Sequence, residues 1–222
     1  MVVIEGAELN YKLKEFEKYS NPVITFDKYT SVSKSTYYQR LIKLVVELSE
    51  ADNWEDAVKE WKIIKCDEDE DCSSKCVCGK ENIKYLFTIK NIYNSNKLFP
   101  IGSSCIKKFG REDLKDESNV YESMYKLIHA IRDNKFITLD GELFSRKLLR
   151  YLYKWGAFKS TQYNNYDGSN DYEFMLKMFN KKDKSTITPS QDKKIKAIIL
   201  NSIKPFIQDK LYPRWYKGAG IW

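Results

Sequence analysis

The chain reads as an α+β fold, mainly helical, with one small antiparallel β-hairpin near its middle. Three observations predict this. Apolar residues recur every three to four positions through residues 33–62 and again from 111 onward. Between those stretches, in residues 83–89, the period drops to two. All five cysteines of the 222 residues lie between Cys66 and Cys105, bracketing the period-two segment. Three parts follow: a helical segment over 1–62, a cysteine-bearing hairpin module over 63–110 and a basic helical region over 111–222. A 42% hydrophobic and 14% aromatic content fills a core, which excludes a disordered chain.

In residues 33–48, Tyr37, Leu41, Leu44, Val45 and Leu48 share a helix face. Asn53 is a good N-cap for a second short helix, with Asp56 at N3 and an apolar stripe of Trp54, Ala57, Val58 and Trp61. Ile83, Tyr85, Phe87 and Ile89 then fall on one face of a strand, and Asn94-Ser95-Asn96 supplies turn chemistry. Leu98-Phe99-Pro100-Ile101 returns as the second strand, its proline suiting an edge or a strand end. Gly102-Ser103-Ser104 opens a short helix from Cys105 to Phe109.

Beyond Arg111, Met124, Leu127, Ile128 and Ile131 form the face of a helix ending near Asn134. A short extended piece, Phe136-Ile137-Thr138-Leu139, and an Asp140-Gly141 turn lead to the next helix. There Phe144, Leu148, Leu152 and Trp155 make the buried side, while Arg146, Arg150 and Lys154 repeat every four residues on the other. Residues 160–169 read as a loop, followed by a helix over 171–180. The last long helix starts at a capping box, Thr188 with Gln191, and Pro189 at N1. Pro205 is expected to end or kink it.

Five thiols gathered in this way either crosslink or hold a metal. The first residues lack a basic leader, and no run approaches the roughly 18–20 apolar residues of a membrane span. A reducing cytoplasm is therefore the expected compartment, and an odd thiol count fits four metal ligands and a spare. Zinc takes four tetrahedral ligands, commonly thiolates. In Cys76-Val77-Cys78-Gly79 the glycine lets the backbone fold back so that two sulfurs converge. Cys105 arrives from the far end of the hairpin, at a helix start expected to favour its thiolate. Cys66 is the favoured fourth ligand, with Cys72, His129 or water as alternatives. With a single histidine in the chain, a closed structural zinc site is expected rather than a catalytic one. No Ser/His/Asp arrangement and no phosphate-binding glycine loop is present in the sequence, so no enzymatic activity is expected.

Charge is unevenly placed. Residues 1–110 carry 17 Lys/Arg against 17 Asp/Glu, whereas residues 111–222 carry 21 against 14, which accounts for the whole net charge of +7. The basic half suits an acidic partner, protein or nucleic acid. Arg146, Arg150 and Lys154, with Lys193, Lys194 and Lys196, are the candidate partner-binding residues. Basic residues interleaved with aromatics in 193–222 also fit single-stranded nucleic acid. The acidic run over 67–71 is expected on a solvated loop.

Taken as a pattern, Trp61, Cys76-Val77-Cys78-Gly79-Lys80, Ile89-Lys90-Asn91 and Pro100-Ile101-Gly102-Ser103-Ser104-Cys105-Ile106-Lys107-Lys108-Phe109 resemble a family of small zinc-binding accessory proteins of Firmicutes phages and mobile elements. The resemblance covers about 50 residues and matches Cys76, Cys78 and Cys105 to the family's metal positions. Such accessory proteins include type II anti-CRISPRs. The resemblance thus implies a zinc-stabilised protein that binds a type II CRISPR effector nuclease in the cytoplasm of a bacterial host and blocks target-DNA loading or cleavage. The competing expectation is a zinc-containing nucleic-acid-binding accessory protein.

Overall fold

The computed structural model describes residues 36–133, 137–139 and 141–212. Residues 1–35 of the expected helical segment, the expected helix end at Asn134, Phe136, Asp140 and the aromatic tail from Pro213 lie outside the described residues. The described chain is α+β and mainly helical, with a three-stranded antiparallel sheet ordered β1-β2-β3. It divides into two compact units, one ending at Ser118 and one beginning at Asn119.

In the first unit, helix α1 (Thr36–Glu47) buries Leu41, Leu44 and Val45 at the expected spacing. Helix α2 (Trp54–Ala57) is capped as its sequence predicts, the Asn53 side chain accepting the Asp56 N–H at 3.0 Å. A 3-10 turn, Val58–Glu60, then ends the helix. Trp61 is therefore not the last member of a helical stripe. It opens strand β1 (Trp61–Glu68), so Asp67 and Glu68 of the acidic run belong to a strand rather than a loop. Strands β2 (Tyr85–Asn91) and β3 (Lys97–Ile101) are the expected hairpin. Ile83 stands outside β2 and bridges to Ser74 instead.

The core of this unit lies on one face of the sheet, where Trp61, Phe87, Ile89, Leu98 and Ile101 are fully buried. Burial of each such side chain stabilises by roughly 1.5–3 kcal/mol. One carboxylate is buried beside them: Glu60, 5% exposed, accepts the N–H groups of Glu50 and Ala51, both at 2.8 Å, and the Asn91 side-chain amide. Those bonds outweigh burial and hold its carboxyl below the ordinary range. Arg111 closes the other side, its Nη1 donating to the carbonyls of Val58, Lys59 and Trp61. Helix α3 (Ser103–Lys107) follows β3, starting at Gly102. Helix α4 (Glu112–Arg132) contains the boundary between the units.

In the second unit, α5 (Arg146–Lys154) is capped by Ser145, whose Oγ accepts the Leu148 N–H at 3.0 Å. It buries Leu148, Leu149 and Leu152, while Trp155 is only half-buried, with Lys210 Nζ 4.5 Å above its ring. The expected loop is more ordered than its composition suggests. Thr161 and Asn164 form a capping box around a 3-10 turn, Gln162–Asn164, and α6 (Gly168–Asn180) begins earlier than expected. Only glycine fits at position 168, since a Cβ there would meet the Phe158 carbonyl oxygen at 2.0 Å. Helix α7 (Pro189–Ile198) has the expected Thr188–Gln191 box. The chain then widens into a π turn, Ile199–Ile203, before α8 (Lys204–Leu211). Pro205 lacks an N–H and crowds the carbonyl four residues back; the wider turn relieves that, and the Lys204 N–H reaches Ile199 O instead.

Candidate metal centre

Two short turns bring the cysteines together. In the first, the Cys76 N–H donates to Lys80 O at 2.8 Å and the Gly79 N–H to Cys76 O at 2.7 Å. Gly79 adopts φ +95°, and a Cβ there would stand 2.6 Å from Arg40 Nη1. This is the glycine requirement expected of the Cys-x-Cys-Gly turn. The Val77 N–H donates to Pro100 O at 2.9 Å and fastens this turn to β3. The second turn is Gly102 and α3, which carries Cys105 back to the same point.

Three sulfurs meet there, all buried. Cys105 Sγ lies 3.3 Å from Cys78 Sγ and 3.6 Å from Cys76 Sγ, and the three lie within 4.8 Å of one another. Four ligands about 2.3 Å from a tetrahedral zinc stand about 3.8 Å apart, so this spacing fits a metal with little adjustment. The backbone N–H of Gly102 donates to Cys76 Sγ at 3.3 Å, orienting it from outside the sulfur group.

The three thiols titrate as one coupled group. Hydrogen bonds from Cys105 and Cys76 pull the Cys78 thiol far below its ordinary value. Cys105 is pushed up by its contacts with Cys76 and Cys78 and by burial. At Cys76 the bond to Cys105 works downward, but contact with Cys78 and burial win and raise it. Three sulfurs this close and this buried cannot all ionise without a compensating cation. A divalent ion supplies that charge, and so the donor set fits a metal.

The expected fourth ligand does not join the group. The β1–β2 register shifts between Ile63 and Lys65, which turns Cys66 to the buried face opposite Phe87. Its Sγ contacts the Asp67 carbonyl oxygen at 3.6 Å. Cys72 is part-exposed with φ +52°, its Sγ 4.0 Å from Glu70 O. His129 belongs to α4, its ring stacked on Tyr125 at 6.4 Å. The structure therefore gathers Cys76, Cys78 and Cys105.

A cleft of about 170 Å³ opens beside the sulfurs. Its lining includes Cys76 and Cys105, with Lys80, Lys84, Ser103 and Ser104. Lys84 follows Ile83, whose backbone bridges back to Ser74.

The candidate partner-binding residues behave differently from one another. Arg146, Arg150, Lys154 and Lys193 are exposed. Lys194 pairs with Asp171 at 3.2 Å and lies 4.7 Å over the Phe174 ring, and Lys196 pairs with Asp192 at 2.6 Å. Two tyrosines of the expected 160–169 loop, Tyr163 (83%) and Tyr166 (73%), are strongly exposed.

No family model, curated protein or solved structure matches the chain. Among the described residues no helix is long and apolar enough to cross a membrane.

Proposed function

We propose that Cys76, Cys78 and Cys105 hold one zinc ion, and that the protein works by binding a partner rather than by chemistry. The observation that carries the reading is the convergence of three buried thiols from the two segments that flank the β2–β3 hairpin in sequence. Such a centre ties the Cys76–Lys80 turn, β3 and α3 together, so its metal supplies folding energy.

The partner we propose is a type II CRISPR effector nuclease in the cytoplasm of a bacterial host, with the protein acting as an anti-CRISPR that blocks loading or cleavage of target DNA. What supports this is the resemblance of the Cys76–Phe109 motif residues to phage accessory proteins, together with exposed Arg146, Arg150, Lys154 and Lys193. Cleavage of target DNA by the effector, with and without the purified protein, tests it. Inhibition that weakens as salt rises is expected. Full cleavage at molar excess of the protein, across several type II effectors, rejects it.

The second reading is a nucleic-acid-binding accessory protein. Exposed Tyr163 and Tyr166 favour it, since aromatic faces stack on unpaired bases. A gel shift with single- and double-stranded nucleic acid over a salt series separates the two readings.

A further inference from the structure

We propose that the metal keeps an open fourth position, facing the cleft, which takes a thiolate from outside the fold. This rests on the metal reading above and deepens it.

Among the described residues the donor set stops at three. Cys76, Cys78 and Cys105 meet within 4.8 Å, while Cys66 is turned into the sheet core and Cys72 lies at the protein surface near Glu70. Tetrahedral zinc then has one position unfilled by these sulfurs. That position has an approach. The cleft touches Cys76 and Cys105, and its volume of about 170 Å³ exceeds the roughly 10–15 Å³ that one water needs. A small ligand can therefore reach the metal without unfolding the turn.

The chemistry of the ligand follows from the site. Three thiolates make the position soft, which favours sulfur over oxygen donors. Three thiolates and a divalent ion carry one net negative charge, and a fourth thiolate makes two. Lys80 and Lys84 line the same cleft and offset that charge; Lys84 also lies 3.3 Å from Glu68. Binding is a simple exchange. The incoming thiol loses its proton to solvent, its sulfur bonds to the metal and a bound water leaves. Affinity should therefore rise with pH up to the pKa of the free thiol.

The test is cobalt substitution of the full chain, prepared anaerobically without added thiol. Tetrahedral Co²⁺ reports its donor set through visible and sulfur-to-metal charge-transfer bands. Titration with 2-mercaptoethanol should give a saturable gain in charge-transfer intensity, with the corresponding thioether inert as control. Lys80→Glu combined with Lys84→Glu should weaken that affinity several-fold while leaving one metal per chain. Cys66→Ser and Cys72→Ser should leave the thiol-free spectrum unchanged. A wild-type spectrum that already shows four thiolates, or that ignores the added thiol, overturns the proposal while the metal reading stands. Loss of a thiolate band in Cys66→Ser or Cys72→Ser does the same, by identifying an internal fourth ligand. A response to imidazole or acetate but not to thiol overturns the choice of ligand. No stoichiometric cobalt or zinc binding at all rejects both readings.

Discussion

Asn164 Nδ2 donates to Asp171 Oδ2 at 2.9 Å, and both residues are buried, at 2% and 7% exposure. The other Asp171 oxygen faces Lys194 at 3.2 Å. Asn164 also donates to the Lys159 carbonyl and accepts the Thr161 N–H, so one side chain organises the segment that displays Tyr163 and Tyr166. Asn165 and Tyr166 both adopt positive φ, which asparagine tolerates but which is costly for tyrosine.

Asp171→Ala should therefore cost about 2–3 kcal/mol, because it strands a buried amide donor. Thermal melting measures this, and tyrosine fluorescence or proteolysis should report loosening of residues 161–167. Lys194→Glu should also lower the melting temperature, by placing a like charge against Asp171.

That result bears on the binding surface. Reversal at exposed Arg150, Lys154 or Lys193 should weaken partner binding without lowering the melting temperature, whereas reversal at Lys194 should alter both. Binding isotherms over a salt series, run beside thermal melts, separate the two effects. A Lys193→Glu variant that binds and inhibits like the parent argues against this face.

Metal removal should unfold the cysteine module first. Chelation is expected to lower the melting temperature by at least about 10 °C, since metal-binding energy is folding energy in a module of this size. Elemental analysis should give one zinc per chain. Serine at Cys76, Cys78 or Cys105 should lose it. A melt unchanged after complete removal would show the ion to be incidental.

Glu60 sets an acid limit on the first unit. Its folded pKa is depressed by the Asn91 amide and the Glu50 and Ala51 N–H groups. Its stabilisation is therefore complete above the unfolded value of about 4.3 and is lost as pH falls through the lower folded value. Glu60→Gln should cost about 2 kcal/mol at neutral pH and flatten the fall in stability below that range. Chemical denaturation at several pH values checks both.

The legible parts of this fold were those where one local rule decides. Asn53 and Thr188 cap because their side chains reach an N–H three residues on. Phe87 and Ile89 alternate inward because a strand has period two, and Gly79 marks the turn that joins two sulfurs. What stayed hidden depended on irregularity. Trp54, Ala57, Val58 and Trp61 keep helical spacing, yet the 3-10 turn at Val58–Glu60 releases the chain before Trp61. The Ile63–Lys65 irregularity then breaks the alternation of β1, which hid both the strand and the inward turn of Cys66. At the metal site, the Cys76–Cys78–Cys105 trio followed from residue type and spacing. The absence of Cys66 from it depends on strand register, which only the paired sheet defines.

A three-stranded sheet ordered β1-β2-β3 leaves two outer rims, and each is a template on which another chain's strand can grow. Here β1 presents Lys62, Lys65 and Asp67 along its length, and Pro100 interrupts β3, whose carbonyl is already claimed by the Val77 N–H. The turn that carries Cys76 and Cys78 thus also shields a sheet rim. Stripping the ion should loosen that shield, so the metal-free protein is expected to be more prone to strand-to-strand self-association than the metal-loaded one.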